Sequence, residues 1–252
     1  MKTHTKLLAL LLALVLVFAC TACGKKDVSG TVTTGSDASD TNDTAEASDS
    51  SDTDGTAVPA DETETDAAEE DAAAVAPGSV SGGVYENDFL GIACKLDDSW
   101  TFYDEDQILE LNNVTKDVYE GTDFESYFDE NASYFTDMYA QNDDASKTVN
   151  VVIESIGVQN ATLTEESYVE LCLDTLVSAL EQAGMEKVTA SGSSMTFAGA
   201  EHATIQISAE YQGVSMYETV VCLKQGLYMS SVTSCTWGEN ATEDVLTNFY
   251  AA

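Results

Sequence analysis

Residues 203–236 read ATIQISAEYQGVSMYETVVCLKQGLYMSSVTSCT, the most regularly patterned stretch of the chain. It contains three stretches rich in Val, Ile, Thr and Tyr: Ala203 to Tyr211, Val214 to Leu223 and Leu227 to Thr236. Gln212-Gly213 and Gln225-Gly226 separate them. Such stretches have the length and side chains of strands, and a glycine in a two-residue connection supplies the positive φ of a tight hairpin. Strands joined so briefly must run antiparallel, because a parallel crossover needs a dozen residues or more. The fold class is therefore α+β: an antiparallel β-sheet, a meander, whose apolar face helices must cover.

Working upstream, Lys187 to Ala190 and Ser194 to Ala198 read as two further strands, with turns at Gly192 and Gly199. Before them lies the longest helix, capped by Thr164 or Thr162 and ending before Gly184. Val169, Cys172, Leu173, Leu176, Val177, Leu180 and Ala183 recur at helical spacing and form its buried stripe. Thr148 to Ile156 and Tyr134 to Ala140 read as strands around a polar turn at Gln141 to Ser146. Thr122-Asp123-Phe124-Glu125 is a capping box opening a short helix with Phe124, Tyr127 and Phe128 on one face. Asp104 with Gln107 is another, its helix running to about Asn112, with Tyr103 against Ile108 as a hydrophobic staple. Trp100 to Phe102 is extended, and Val84 to Asn87 with Leu90 to Leu96 makes a hairpin turning near Asp88-Phe89. Downstream, Asn240 with Glu243 caps a last helix from Ala241 to Tyr250.

Residues 83–252 thus form one domain. Residues 23–82 are different in kind. From Asp27 onward this segment is Ser, Thr, Asp, Ala, Glu and Gly with fifteen acids and no base. It has too few apolar groups to offset its ordering entropy, so it reads as a disordered acidic tether. Residues 1–22 read as a signal peptide: Lys2 and Lys6 precede an apolar run from Leu7 to Ala19. That run is shorter than the roughly 20 residues needed to span a bilayer but suits the core of an export signal.

The net charge is −36 and the chain has no arginine. Nucleic-acid affinity rests on Lys and Arg neutralising phosphates, so a nucleic-acid partner is excluded. Anionic surfaces are repelled as well, which leaves cations, neutral sugars, peptides or basic proteins as ligands.

Two resemblances add to this reading. Cys20-Thr21-Ala22-Cys23-Gly24 resembles the lipobox of bacterial lipoproteins, in which a cysteine is diacylated and becomes the mature N-terminus. Cys23 fits better than Cys20: Thr21 and Ala22 before it are small and Gly24 follows, whereas bulky Phe18 stands two before Cys20. The resemblance implies a lipid anchor on Cys23 and a domain held at the outer face of the bacterial cytoplasmic membrane. Tyr85-x-Asn87-x-x-x-Gly91, Leu96-Asp97-Asp98-Ser99-Trp100, Asp137-Met138-Tyr139-Ala140, Asn150-Val151-Val152-Ile153-Glu154 and Phe197-Ala198-Gly199-Ala200-Glu201-His202 resemble PsbP-like domains of Gram-positive lipoproteins. Such relatives carry Pro-Asp-Gly-Trp or similar where this chain has Asp97-Asp98-Ser99-Trp100. The resemblance implies a PsbP-like α+β fold and a non-catalytic binding or interaction module, with a cell-wall, peptide or protein partner.

No residue set carries recognisable catalysis. His202, the one histidine beyond the export signal, would need a Ser or Cys and an orienting acid to make a triad, and no Gly-x-Ser-x-Gly or His-Glu-x-x-His is present. One histidine and scattered cysteines do not make a zinc set. Acids gather at Asp97, Asp98, Asp104, Glu105 and Asp106, and at Asp143 and Asp144, without calcium-loop spacing; solvated surface is the expected role. No catalytic, metal or cofactor residue is therefore assigned, and the alternative is a cell-envelope hydrolase using carboxylates. If a binding face exists, the aromatic stretch Tyr119, Phe124, Tyr127, Phe128, Tyr134, Phe135 and Tyr139 with Trp100 is the first place to look, although its helical spacing argues for core packing. With a turn at Gln225-Gly226, Cys222 faces Met229 and Cys235 lies six residues on, about 20 Å, too far for a disulfide. Cys94, Cys172, Cys222 and Cys235 read as small buried hydrophobes.

Overall fold

A computed structural model describes residues 74–116, 119, 124–130 and 133–252. The export signal, Cys20, Cys23, the tether up to residue 73 and the Thr122-Asp123 half of one capping box lie outside the described residues. The described strands form two antiparallel sheets. The smaller contains β1 (Ser79–Ser81), β2 (Val84–Asn87), β3 (Ile92–Lys95) and the C-terminal β11 (Phe249–Ala251), in that spatial order. The larger has the order β4-β5-β6-β10-β9-β8-β7: β4 (Trp100–Phe102), β5 (Tyr134–Asn142), β6 (Lys147–Ser155), β7 (Glu186–Phe197), β8 (Ala200–Tyr211), β9 (Val214–Gln225) and β10 (Tyr228–Trp237). Helices α1 (Glu105–Leu111), α2 (Phe124–Glu130), α3 (Glu165–Gln182) and α4 (Thr242–Leu246) pack on them.

The large sheet is covered on both faces through its middle. On one face α3 lays Val169, Cys172, Leu176 and Leu180 on Ile205, Ile207, Val220 and Met229. On the other, Tyr85, Ile92 and Cys94 of the small sheet meet Val149, Val151, Val221 and Val232, joined by Leu246 and Phe249. This is why β6 is buried from Thr148 to Ile153 without alternation. A third, aromatic cluster gathers Tyr127, Phe128, Phe135 and Tyr139 with α1 and α2. The helical spacing of Phe124, Tyr127 and Phe128 thus reports core packing. Trp100 packs on the second cluster and not on this aromatic one.

The antiparallel, helix-covered meander agrees with the sequence reading, and α1 has its Asp104–Gln107 capping box. Four details differ. First, the fold extends into the segment assigned to the tether: β1 pairs with β2, Val80 opposite Tyr85, across a turn at Gly82-Gly83 with φ of 59° and 79°. Val75 is already buried. A three-residue polar edge strand leaves no mark on composition. Second, Gly192 is not a turn but the middle of the continuous strand β7. A Cβ there would stand 3.1 Å from Val169 Cγ1, so the glycine lets α3 lie close on the sheet. Third, α4 stops at Leu246; the Asn248 side-chain amide donates to the Val245 carbonyl at 2.8 Å, and Phe249 opens β11 opposite Cys94. Fourth, the last hairpin closes on Tyr228 opposite Gln225, so Cys222 faces Ser231 and Cys235 faces Glu218. The turn shifts by one residue and the register by two. All four domain cysteines are buried and none forms a disulfide.

Candidate functional site

The site is built around an irregularity in β5. Thr136 pairs with Val152 and Met138 with Val151, leaving Asp137 as the extra residue of a β-bulge. A bulge re-aims a side chain and leaves backbone groups without a ladder partner. Asn112, the C-cap of α1, supplies that partner: its Oδ1 accepts from the Thr136 N–H at 2.7 Å and its Nδ2 donates to the Thr136 carbonyl at 2.8 Å. The Asp137 carboxylate turns instead toward the small sheet and is buried. It accepts from the Gly78 N–H (2.9 and 3.0 Å), the Tyr85 hydroxyl (2.5 Å) and Asn87 Nδ2 (2.8 Å). Asn87 Oδ1 in turn accepts from the Leu90 N–H at 2.8 Å, which fixes the β2–β3 turn.

Burial lifts the Asp137 carboxyl above the usual carboxylate range, while the bonds from Tyr85, Asn87 and Gly78 pull against that rise. Burial first, then the Asp137 charge, drives the Tyr85 phenol far upward, so the tyrosine stays a donor. Beside this network opens a cavity of about 400 Å³ between the approach to β1, the β4–α1 connection, Tyr119 and β5. Asp137 stands in its wall together with Phe102, Tyr103, Tyr119 and Phe135. Asp104 and Glu105 stand in it too, but Asp104 caps α1 and Glu105 accepts from Lys116 Nζ at 2.7 Å.

The other acids noted in the sequence serve local turns. Asp97 accepts from the Ser99 N–H (2.8 Å) and hydroxyl (2.5 Å), and Asp144 from the Ser146 N–H (2.9 Å). Among the described residues no three His, Cys, Asp or Glu side chains gather as a metal set. His202 does have an orienting acid, which spacing could not reveal. Its Nδ1 lies 3.0 Å from Glu165 Oε1, and Glu165 also accepts from the Ala203 N–H (3.1 Å) and the Lys224 N–H (3.0 Å). Burial raises the Glu165 carboxyl, but His202 and the two N–H groups outweigh it and hold the group below its ordinary value. The cavity of about 190 Å³ beside His202 is lined by Lys224, Gln225 and small or aliphatic residues; among the described residues no serine or cysteine lines it. Glu165 closes the place where the β8–β9 register ends at Thr204 opposite Val221, which is a structural task.

Sequence reasoning did not single out Asp137, Gly78 or Asn112. Tyr85, Asn87 and Asp137 do stand in the stretches that carry the resemblance to PsbP-like domains, and that was the one available signal.

No family model matches the chain, and no curated protein matches it. Solved structures similar to it include a protein of Bacteroides thetaiotaomicron at TM-score 0.34 and 7% identity, over 64% of this chain and 45% of that one. Another is LpqN of Mycobacterium tuberculosis, described as involved in cell envelope biogenesis, at TM-score 0.30 and 9% identity, over 63% of this chain and 82% of that one. This chain therefore spans less than half of the Bacteroides protein.

Proposed function

We propose that the chain is an extracytoplasmic lipoprotein, anchored through lipid on Cys23, whose domain binds a ligand or partner and does not transform it. The cavity beside Asp137 carries this reading. Its buried carboxylate is engaged by three donors of the fold and so attracts a ligand without being free to exchange protons with one. The other two acids of the wall serve a helix cap and an ion pair. This favours binding over a hydrolase working through paired carboxylates. The anchor accounts for how so acidic a chain stays on an anionic membrane, since two acyl chains suffice for stable attachment.

Two experiments test the reading. Radiolabelled palmitate is expected to enter the wild-type chain and Cys20→Ala but not Cys23→Ala; the reverse pattern moves the anchor to Cys20. Crosslinking on intact cells with mass spectrometry is expected to capture an envelope component, and purified full chain is expected to leave cell-wall fragments uncleaved. Turnover of those fragments, abolished by substituting a carboxylate of the domain, would establish the hydrolase instead.

A further inference from the structure

We infer that the cavity beside Asp137 is a site for an organic cation, a ligand bearing an ammonium group. The inference rests on the binding-module reading and names the chemistry of its ligand. Three observations converge. The cavity holds about 400 Å³, enough for an alkylammonium head with a substituent, since small-molecule pockets begin near roughly 300 Å³. Its walls carry four aromatic rings, Phe102, Tyr103, Tyr119 and Phe135, of which Phe102, Tyr103 and Tyr119 are half-buried. The Tyr119 and Phe135 rings stack on each other, 5.8 Å between centroids and 8° between planes, which covers one face of each and leaves Phe102, Tyr103 and the outer side of Tyr119 as the ring surface a cation would use. The negative faces of such rings attract a cation within about 6 Å, most strongly where water is excluded.

The third observation is charge. Asp137 is buried in the wall, and among the described residues its hydrogen-bond donors are a backbone N–H, a phenol and an amide, all neutral. Among the described residues no lysine or histidine lines the cavity, and the nearby Lys116 ammonium is paired with Glu105. A buried carboxylate given only neutral donors retains its field, and that field reaches into the cavity. Burial first, with the charges of Asp137 and Glu105 adding to it, pushes the Tyr119 phenol up to about 12. An anion is repelled here, and a neutral ligand makes no use of it. A weakly hydrated alkylammonium sheds its water readily, gains the ring faces, and meets the Asp137 field without displacing a protein donor.

The test is calorimetric titration of the purified full chain with choline and with its neutral isostere, 3,3-dimethylbutan-1-ol. Choline is expected to bind about tenfold or more tightly than the isostere, the discrimination that rings and a buried charge provide together. Tyr103→Leu, which leaves the Asp137 hydrogen bonds untouched, is expected to weaken choline about fivefold while the melting curve is kept. Asp137→Asn is expected to abolish the preference for choline; a melting curve run alongside reports whether that variant is folded, and Tyr103→Leu decides the matter if it is not. Equal binding of the two probes overturns the cation assignment but leaves a ligand cavity, so the binding-module reading survives. Choline binding unchanged in Tyr103→Leu places the cation elsewhere on the acidic surface and overturns the assignment. So does the absence of choline binding at concentrations up to about 20 mM.

Discussion

Gly78 is the residue on which the Asp137 network depends. A Cβ built there would stand 2.5 Å from Tyr85 Cε2, 2.7 Å from the Glu86 carbonyl oxygen and 2.9 Å from Asp137 Oδ2. All three contacts are with groups that cannot move without breaking the β1–β2 pairing or the carboxylate network. Gly78→Ala is therefore expected to destabilise the domain by about 2–3 kcal/mol, the range for overpacking a closed site, read from urea unfolding midpoints at unchanged slope. A second residue-scale prediction concerns Glu154, which accepts from the Tyr168 hydroxyl at 2.6 Å. Burial raises its carboxyl from 4.5 to about 7, against the pull of that bond. Between these values the folded state holds a proton that the unfolded state has released, so this group's contribution to stability is fully present below about pH 4.5 and is lost as pH rises through about 7. Glu154→Gln keeps the acceptor for Tyr168 and removes the titration. It is expected to flatten this part of the stability–pH curve and to gain roughly 2–3 kcal/mol at pH 7. An unchanged slope between these pH values would refute the assignment. Glu165 works in the opposite sense: its lowered carboxyl contributes stability above its ordinary value that is lost as pH falls below it.

At the scale of elements, β1 shows how little sequence a strand requires. Ser79–Ser81 has exposed side chains throughout, yet it pairs along its length with β2, and the residues leading into it bury Val75 and deliver the Gly78 N–H to Asp137. Deleting residues 24–73 is expected to leave urea unfolding unchanged, because that stretch has almost nothing apolar to bury. Extending the deletion to residue 82 is expected to cost more than about 2 kcal/mol, through the lost Val75 burial and the Asp137 hydrogen bond. Equal stability of the two deletions would place the start of the fold at residue 83 after all. The C-terminal β11 follows the same logic. Its sequence continues a plausible helix from α4, but Phe249 has an apolar slot beside Phe197, ring centroids 5.1 Å apart, and a free strand edge at β3.

Over the whole molecule the dominant quantity is charge, −36 over 252 residues. Self-repulsion of this size weakens the compact state and is relieved by salt. The acids that look most like a cation site are spent on a helix cap and two local turns. Sodium chloride and calcium chloride at matched ionic strength are therefore expected to raise the melting temperature alike. A calcium-specific rise of several degrees, lost in Asp97→Asn with Asp98→Asn, would instead reveal a site.

Much of this architecture is legible in the chain itself. The strands of the meander, the long helix from Thr164, the Asp104 capping box and the buried aromatic stretch are local patterns, set by side-chain period, turn glycines and caps within a few residues of one another. The second sheet, the bulge at Asp137, the Glu165–His202 pairing and the cavity are not. Each joins residues far apart in sequence, 59 positions in the case of Gly78 and Asp137. Such contacts form because a bulged backbone, a buried carboxylate and an open strand edge must all find partners, and no local pattern records which distant residue will provide them.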